Sequence, residues 1–260
     1  MEQWNGLMRK EWIQWKWQLI LAGGMVLIAL LTLPPVVGTL TKDHEIVFEM
    51  TMVLSFMLMA VGIIIPLLTF TTMFNREMKL PDLWLHSTAS SYKLICVKFL
   101  MAAFIGLGAL LLPAVIVAIR FAMTEFREVT FDELAFFGTT AIIFFFCVSL
   151  MFMAIGFFFI VIDRLLKPFL SSFSIIATGL LFVLSARVYG EVTSSSFYER
   201  FFHAGKVNLL AMKNTNLQIG EGSSLFMDLD IYVGDILFDA VLTVILFFLA
   251  IKLFEKKVRI

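Results

Sequence analysis

Charge is scarce in this 260-residue chain: only 15% of its residues are charged, against 60% hydrophobic, and the mean hydropathy is +0.95. A soluble domain of that composition would leave far too much apolar surface in water, which excludes an ordinary globular protein. Ionisable residues are absent from the middle of the apolar runs. Glu49, Lys98, Arg120, Arg187, Asp235 and Asp239 all lie within about two turns of a run's end, where headgroups and snorkelling satisfy them. That absence argues against an internal proton relay and against a secondary transporter. Cysteine is nearly missing, and Cys96 and Cys147 fall in or beside apolar runs as small hydrophobes, with no disulfide or metal spacing. His44, His86 and His203 lie in three separate polar stretches. No GxxxxGK[ST] occurs, and Gly205-Lys206 has no partner glycine upstream, so no P-loop is present; HExxH and any Ser/His/Asp set are missing too. No catalytic, cofactor-binding or metal-ligating residue is therefore expected, and the zero net charge points away from nucleic acid.

What the chain does have is a series of apolar runs of the roughly 20 residues that a helix needs to cross a bilayer. They are too long and too uniformly apolar for barrel strands. Six spans are expected, over about 18–40, 46–74, 94–119, 134–162, 168–188 and 234–254. The first continues past the length of a signal-peptide core, so it is expected to stay in the protein. It should end near Pro34-Pro35, and the second should kink near Gly62 and Pro66. Asp163 to Lys167 reads as the short link between spans four and five, with Pro168 opening the fifth.

Three polar segments frame the spans. Residues 1–17 wind into an amphipathic helix, with Trp4, Met8, Trp12 and Trp15 on one side and Arg9 and Lys16 flanking, expected to lie along the membrane surface as an anchor or a mechanical element. Residues 189–233 form an outer excursion in which Ser196-Phe-Tyr-Glu199 reads as a capping box opening a short helix that Gly205 stops. Asp235 and Asp239 share one face of the last span, and Arg187 closes the fifth at the same level. An ion pair across the outer ends follows, with a part in substrate exit as the alternative.

The third segment, Arg76 to Lys98, is a polar interruption between spans two and three, 75–93 at its core. Pro81 suits a first helical turn, Asp82 complements the positive helix end, and Leu83-Trp84-Leu85 offers an apolar knob for a partner's groove or for the headgroups. Six spans put both termini on one side with this segment. There lie Arg9, Lys10, Lys16, Arg76, Lys79, Lys93, Lys98, Arg164, Lys167, Lys252, Lys256, Lys257 and Arg259, 13 cations, against seven on the other side. Only six of the 20 acids accompany the 13, which leaves +7 and −7. The positive-inside rule then places both termini in the cytoplasm.

With these features the chain resembles the membrane subunits of ABC-2-type ATP-binding-cassette exporters of bacteria. Those permeases have six spans, an amphipathic helix before the first, a cytoplasmic coupling helix between spans two and three, and interfacial or re-entrant helices before the sixth. Along the interruption, Arg76-Glu77, Leu83-Trp84-Leu85, Ser87-Thr88, Ser90 and Lys98 fall where the family's pattern expects them. Lys79-Leu80 stands in place of glycine-threonine, Thr88 in place of proline and Val97 in place of glycine.

The resemblance implies an all-α membrane protein: one six-helix permease domain over 1–260, multi-pass in the bacterial plasma membrane and working as a pair with a second copy or a homologous permease. Its partner would be a cytoplasmic ABC ATPase that holds ATP and Mg and docks on Arg76, Glu77, Asp82, Leu83, Trp84 and Leu85. The cargo would be a hydrophobic or amphipathic lipid, peptide or drug. A membrane scaffold or sensor without a translocation path is the alternative from a different class.

Overall fold

The computed structural model describes residues 2–41, 45–79, 90–123, 130–208 and 230–258. Helices dominate them. Five helical stretches are long and apolar enough to cross a membrane: Trp4–Thr41, Ile46–Met78, Ser91–Met123, Phe131–Thr193 and Val233–Lys256. The packing divides into two compact units, Met1–Met153 and Ala154–Ile260.

In the first unit, α1 runs unbroken from Glu2 to Thr41. This corrects two expectations. Residues 2–17 are not a separate helix, because nothing between Trp15 and Leu19 breaks α1. Their apolar face has a protein partner instead: Met8, Trp15 and Leu19 pack on a core of Met73, Met101 and Ile105. Nor does the helix stop at Pro34-Pro35, which lie inside it. A proline at position i removes the bond to the carbonyl at i−4. Pro35 thus frees the Leu31 carbonyl, and Arg120 Nη2 donates to that oxygen at 3.1 Å. In an apolar setting such a substitute donor lets a helix survive its prolines.

The second apolar run breaks where the sequence placed its kink. Helix α2, Glu45–Gly62, and helix α3, Ile65–Met78, are joined by a two-residue turn at Ile63-Ile64, whose amides bond back to Ala60 and Val61. Pro66 sits in the first turn of α3, where a missing N–H costs least. Its ring lies against Gly106 of α4, Ser91–Met123. Helix α4 is the centre of this unit: α1, α2 and α3 pack on it, and it buries Leu94, Ile95, Val97, Met101, Ala102, Leu110, Pro113, Ile116 and Val117.

Helix α5 spans Phe131–Leu170 and crosses from one unit into the other. The expected break at Asp163 to Lys167 is helical, since each of those residues tolerates a helix, and Pro168 falls inside rather than opening a new span. The chain turns one step later, at Ser171–Phe173, where Ser171 takes the left-handed conformation with φ 50. Helix α6, Ser174–Thr193, then returns. The Ser174 hydroxyl donates to Asp163 Oδ1 at 2.8 Å, and the rings of Phe159 and Phe182 meet at 5.2 Å. Residues 11 and 23 apart in one straight helix would stand roughly 16 and 35 Å apart, so these contacts describe an antiparallel helical hairpin.

Helix α7, Ser196–Phe202, is capped by Ser195, whose Oγ accepts from Tyr198 N at 3.2 Å. The short helix is where the sequence placed it, but the cap is one residue earlier and no Glu199 capping box forms. Gly205 follows with φ 74, and a small antiparallel pair joins β1, Lys206–Asn208, to β2, Asp230–Tyr232. Helix α8, Val233–Leu253, follows and runs on into a short π-helical turn, Phe254–Val258. Its start is fitted tightly to the turn after α7: the amides of Val233 and Gly234 donate to the carbonyls of Gly205 and Ala204, and a side chain at Gly234 would strike the Phe202 carbonyl.

A candidate coupling site: a buried charge cluster

Three helices of the first unit repeat one local pattern. Each sets a charged residue one turn from an apolar one on the same face: Met8 and Glu11 on α1, Met73 and Glu77 on α3, Lys98 and Met101 on α4. When the apolar residues pack together, the charged ones are drawn into a layer beside them. Lys98 is only 2% exposed and Glu11 4%. A charge so buried persists only with a partner. Lys98 Nζ pairs with Glu11 and, at 2.9 Å, with Glu77; Glu77 also holds Lys10 at 3.0 Å, and that lysine is half exposed.

Two carboxylates thus face two ammonium groups. Lys98, about two turns into α4, ties together the N-terminal helix and the end of α3.

Arg76 and Glu77 stand at the end of α3, but their environments differ. Arg76 is exposed, whereas Glu77 turns into the cluster. Asp82, Leu83, Trp84 and Leu85 lie outside the described residues, as does any coupling helix they form. The sequence marks Glu77 as a docking residue and Lys98 as the end of the polar stretch, without joining them. Glu11 was missed as a site residue, although a carboxylate on the same helical face as Met8 and Trp15 is itself a signal that a buried cation lies opposite.

In the second unit, Arg187 is not paired with Asp235 or Asp239. Its Nε meets Glu191 at 3.2 Å, one turn along the same helix and exposed. Two residues further on, and so 200° round α6, Tyr189 is the side chain that faces α8 and meets Phe238. Its hydroxyl donates to Asp239 Oδ1 at 2.7 Å. Arg187 therefore points away from the aspartates. The two carboxylates do share a face, as expected, and Asp235 has His203 Nδ1 at 3.6 Å.

Tyr198 completes this group, stacked with Phe202 at 4.9 Å and set edge-on to Phe238 at 5.1 Å. Burial, and then the neighbouring Asp235 carboxylate, push the Tyr198 phenol up to about 12, since both disfavour a second negative charge there. Among the described residues no group of three His, Cys, Asp or Glu side chains could hold a metal ion. Compared with family models, with curated proteins and with solved structures, the chain finds no match.

Proposed function

We propose that this chain is the membrane subunit of an ABC-2-type exporter, which moves a hydrophobic or amphipathic substrate out of the cytoplasm with ATP hydrolysed by a separate ATPase. The observation that carries this reading is the charge cluster. The polar stretch on which a partner would dock is flanked by Glu77 on one side and Lys98 on the other, and these two meet at 2.9 Å with Glu11 of α1 beside them. A push on residues 80–89 would reach three helices at once through this layer. A stretch that served only as a turn would need no such tie.

The hairpin of α5 and α6 supports counting the run from Phe131 to Thr193 as two crossings, which makes six and returns both termini to the side of the cluster. The reading then places that side in the cytoplasm of a bacterial cell. It also includes a second permease copy or a homologous permease beside this one.

Purification of the tagged chain from its native membranes tests the proposal. A stoichiometric P-loop ATPase should come with it, and transported substrate should alter that partner's hydrolysis rate, because coupling between two sites is reciprocal. Trp84→Ala should weaken both effects. A chain that purifies with no nucleotide-hydrolysing partner, or a Trp84→Ala variant that leaves ATPase binding and stimulation intact, would sink it.

A further inference from the structure

The first half of α1 has two faces with different occupants. Trp4, Met8, Glu11, Trp15 and Leu19 fall within about 80° of one another around the helix, and this face holds the apolar contacts and the buried carboxylate. Arg9, Trp12, Ile13, Lys16 and Trp17 cover the adjoining arc of about 140°, so Trp12, grouped by the sequence with Met8 and Trp15, belongs to the exposed side. There Trp12 is 52% exposed and Trp17 67%, and Lys16 Nζ lies 5.6 Å from the centre of the Trp17 ring. Of the three cations in this half of α1, Lys10 is held by Glu77. Among the described residues, neither Arg9 nor Lys16 has a carboxylate partner.

Depth decides what such a face meets. From Trp17 to Leu40 the helix is apolar and rises roughly 35 Å, slightly more than the ~30 Å of a bilayer's hydrocarbon core. Lys16 and Trp17 therefore sit at the level where hydrocarbon gives way to headgroups, with Trp12 and Arg9 following over the next ~10 Å outward. Indole rings favour that level, and a lysine there extends its ammonium toward the phosphates.

From this geometry we infer that the outer face of α1 between Arg9 and Trp17 is a binding surface for anionic phospholipid headgroups. Arg9 and Lys16 supply the charge, and Trp12 and Trp17 fix the depth. The surface selects anionic over zwitterionic lipid, and by holding one face of α1 it steadies the adjoining face, where Glu11 meets Lys98. The inference does not depend on an ATPase partner.

Tryptophan quenching by brominated lipid reads it directly. The full chain is placed in bilayers of equal phosphatidylglycerol and phosphatidylcholine, with the bromines on one lipid or the other. Brominated phosphatidylglycerol should quench the wild type more strongly, and the preference should fall about fivefold for each cation removed in Arg9→Gln and Lys16→Gln. The Arg9→Lys, Lys16→Arg double variant should keep it. If the neutral variants fold poorly, raising sodium chloride on the wild type gives the same answer, because exposed charges are screened. A wild type quenched equally by both lipids, a preference unchanged by salt, or one that survives removal of both cations overturns the inference.

Discussion

Arg120 Nη2 donates at 3.1 Å to the carbonyl of Leu31, the oxygen that Pro35 leaves without an amide four residues along. A charge-assisted hydrogen bond of this kind contributes about 1.5–3 kcal/mol, and its loss would strand a carbonyl in apolar surroundings. Arg120→Met is expected to destabilise the protein by that order. Pro35→Ala should rescue it, because alanine restores the N–H that Leu31 lacks. Thermal unfolding in detergent of the two single variants and the double reads the coupling directly. Additive effects would mean that Arg120 is not acting through the Leu31 carbonyl.

Gly106 makes room for Pro66. A Cβ built at Gly106 would lie 2.1 Å from Pro66 Cγ, a distance that no packing tolerates, so α3 and α4 would have to separate. Gly106→Ala should cost at least the roughly 1–3 kcal/mol typical of overpacking, despite alanine's better helix propensity. Pro66→Ala removes the obstructing ring, so in its presence Gly106→Ala should become far milder. The thermal midpoints of the three variants decide the matter, and an unaffected Gly106→Ala would mean that the two helices do not approach so closely.

The charge cluster makes an asymmetric prediction. Lys98→Met leaves Glu11 buried without a cation, and such a loss costs about 3–5 kcal/mol, whereas replacing both partners by neutral groups of similar shape is often close to neutral. Lys98→Met should therefore be much less stable than Glu11→Gln combined with Lys98→Met. Glu77→Gln should be milder than either single change at Lys98 or Glu11, because Glu77 is partly exposed and shares its charge with Lys10. Denaturant unfolding of these variants checks the order.

How much of this was legible in the sequence follows from the range of each interaction. The helical, apolar character of the long runs, the break between Gly62 and Pro66, and the short helix before Gly205 rest on local chemistry and appear in the structure. The donor that meets the Leu31 carbonyl freed by Pro35 is Arg120, 89 residues away, which no local rule finds. The meeting of Glu11 with Lys98 likewise joins residues 87 apart. Arg187 shows the opposite error. Its partner Glu191 was the nearest acid by helical spacing, and the longer-range pairing with Asp235 and Asp239 overlooked that Tyr189, not Arg187, faces α8. The turn at Ser171 had no glycine to announce it.

Tyr198 gives a pH dependence. Its phenol is raised from the ordinary value of 10 to about 12, first by burial and then by Asp235. A group whose proton is held more tightly in the folded state contributes stability that is fully present below its unfolded value and is lost as pH rises through the folded one. The group around Tyr198 should therefore stay intact to pH 10 and loosen between pH 10 and about 12. In a spectroscopic titration of tyrosinate, Tyr198→Phe should remove a phenol that ionises late among the chain's four tyrosines. Asp235→Asn should draw that ionisation partway back toward 10, because the larger cause, burial against Phe202 and Phe238, remains. If Asp235→Asn leaves the late phenol unmoved, the carboxylate does not act on Tyr198. If that variant restores ordinary ionisation completely, burial is not the main cause.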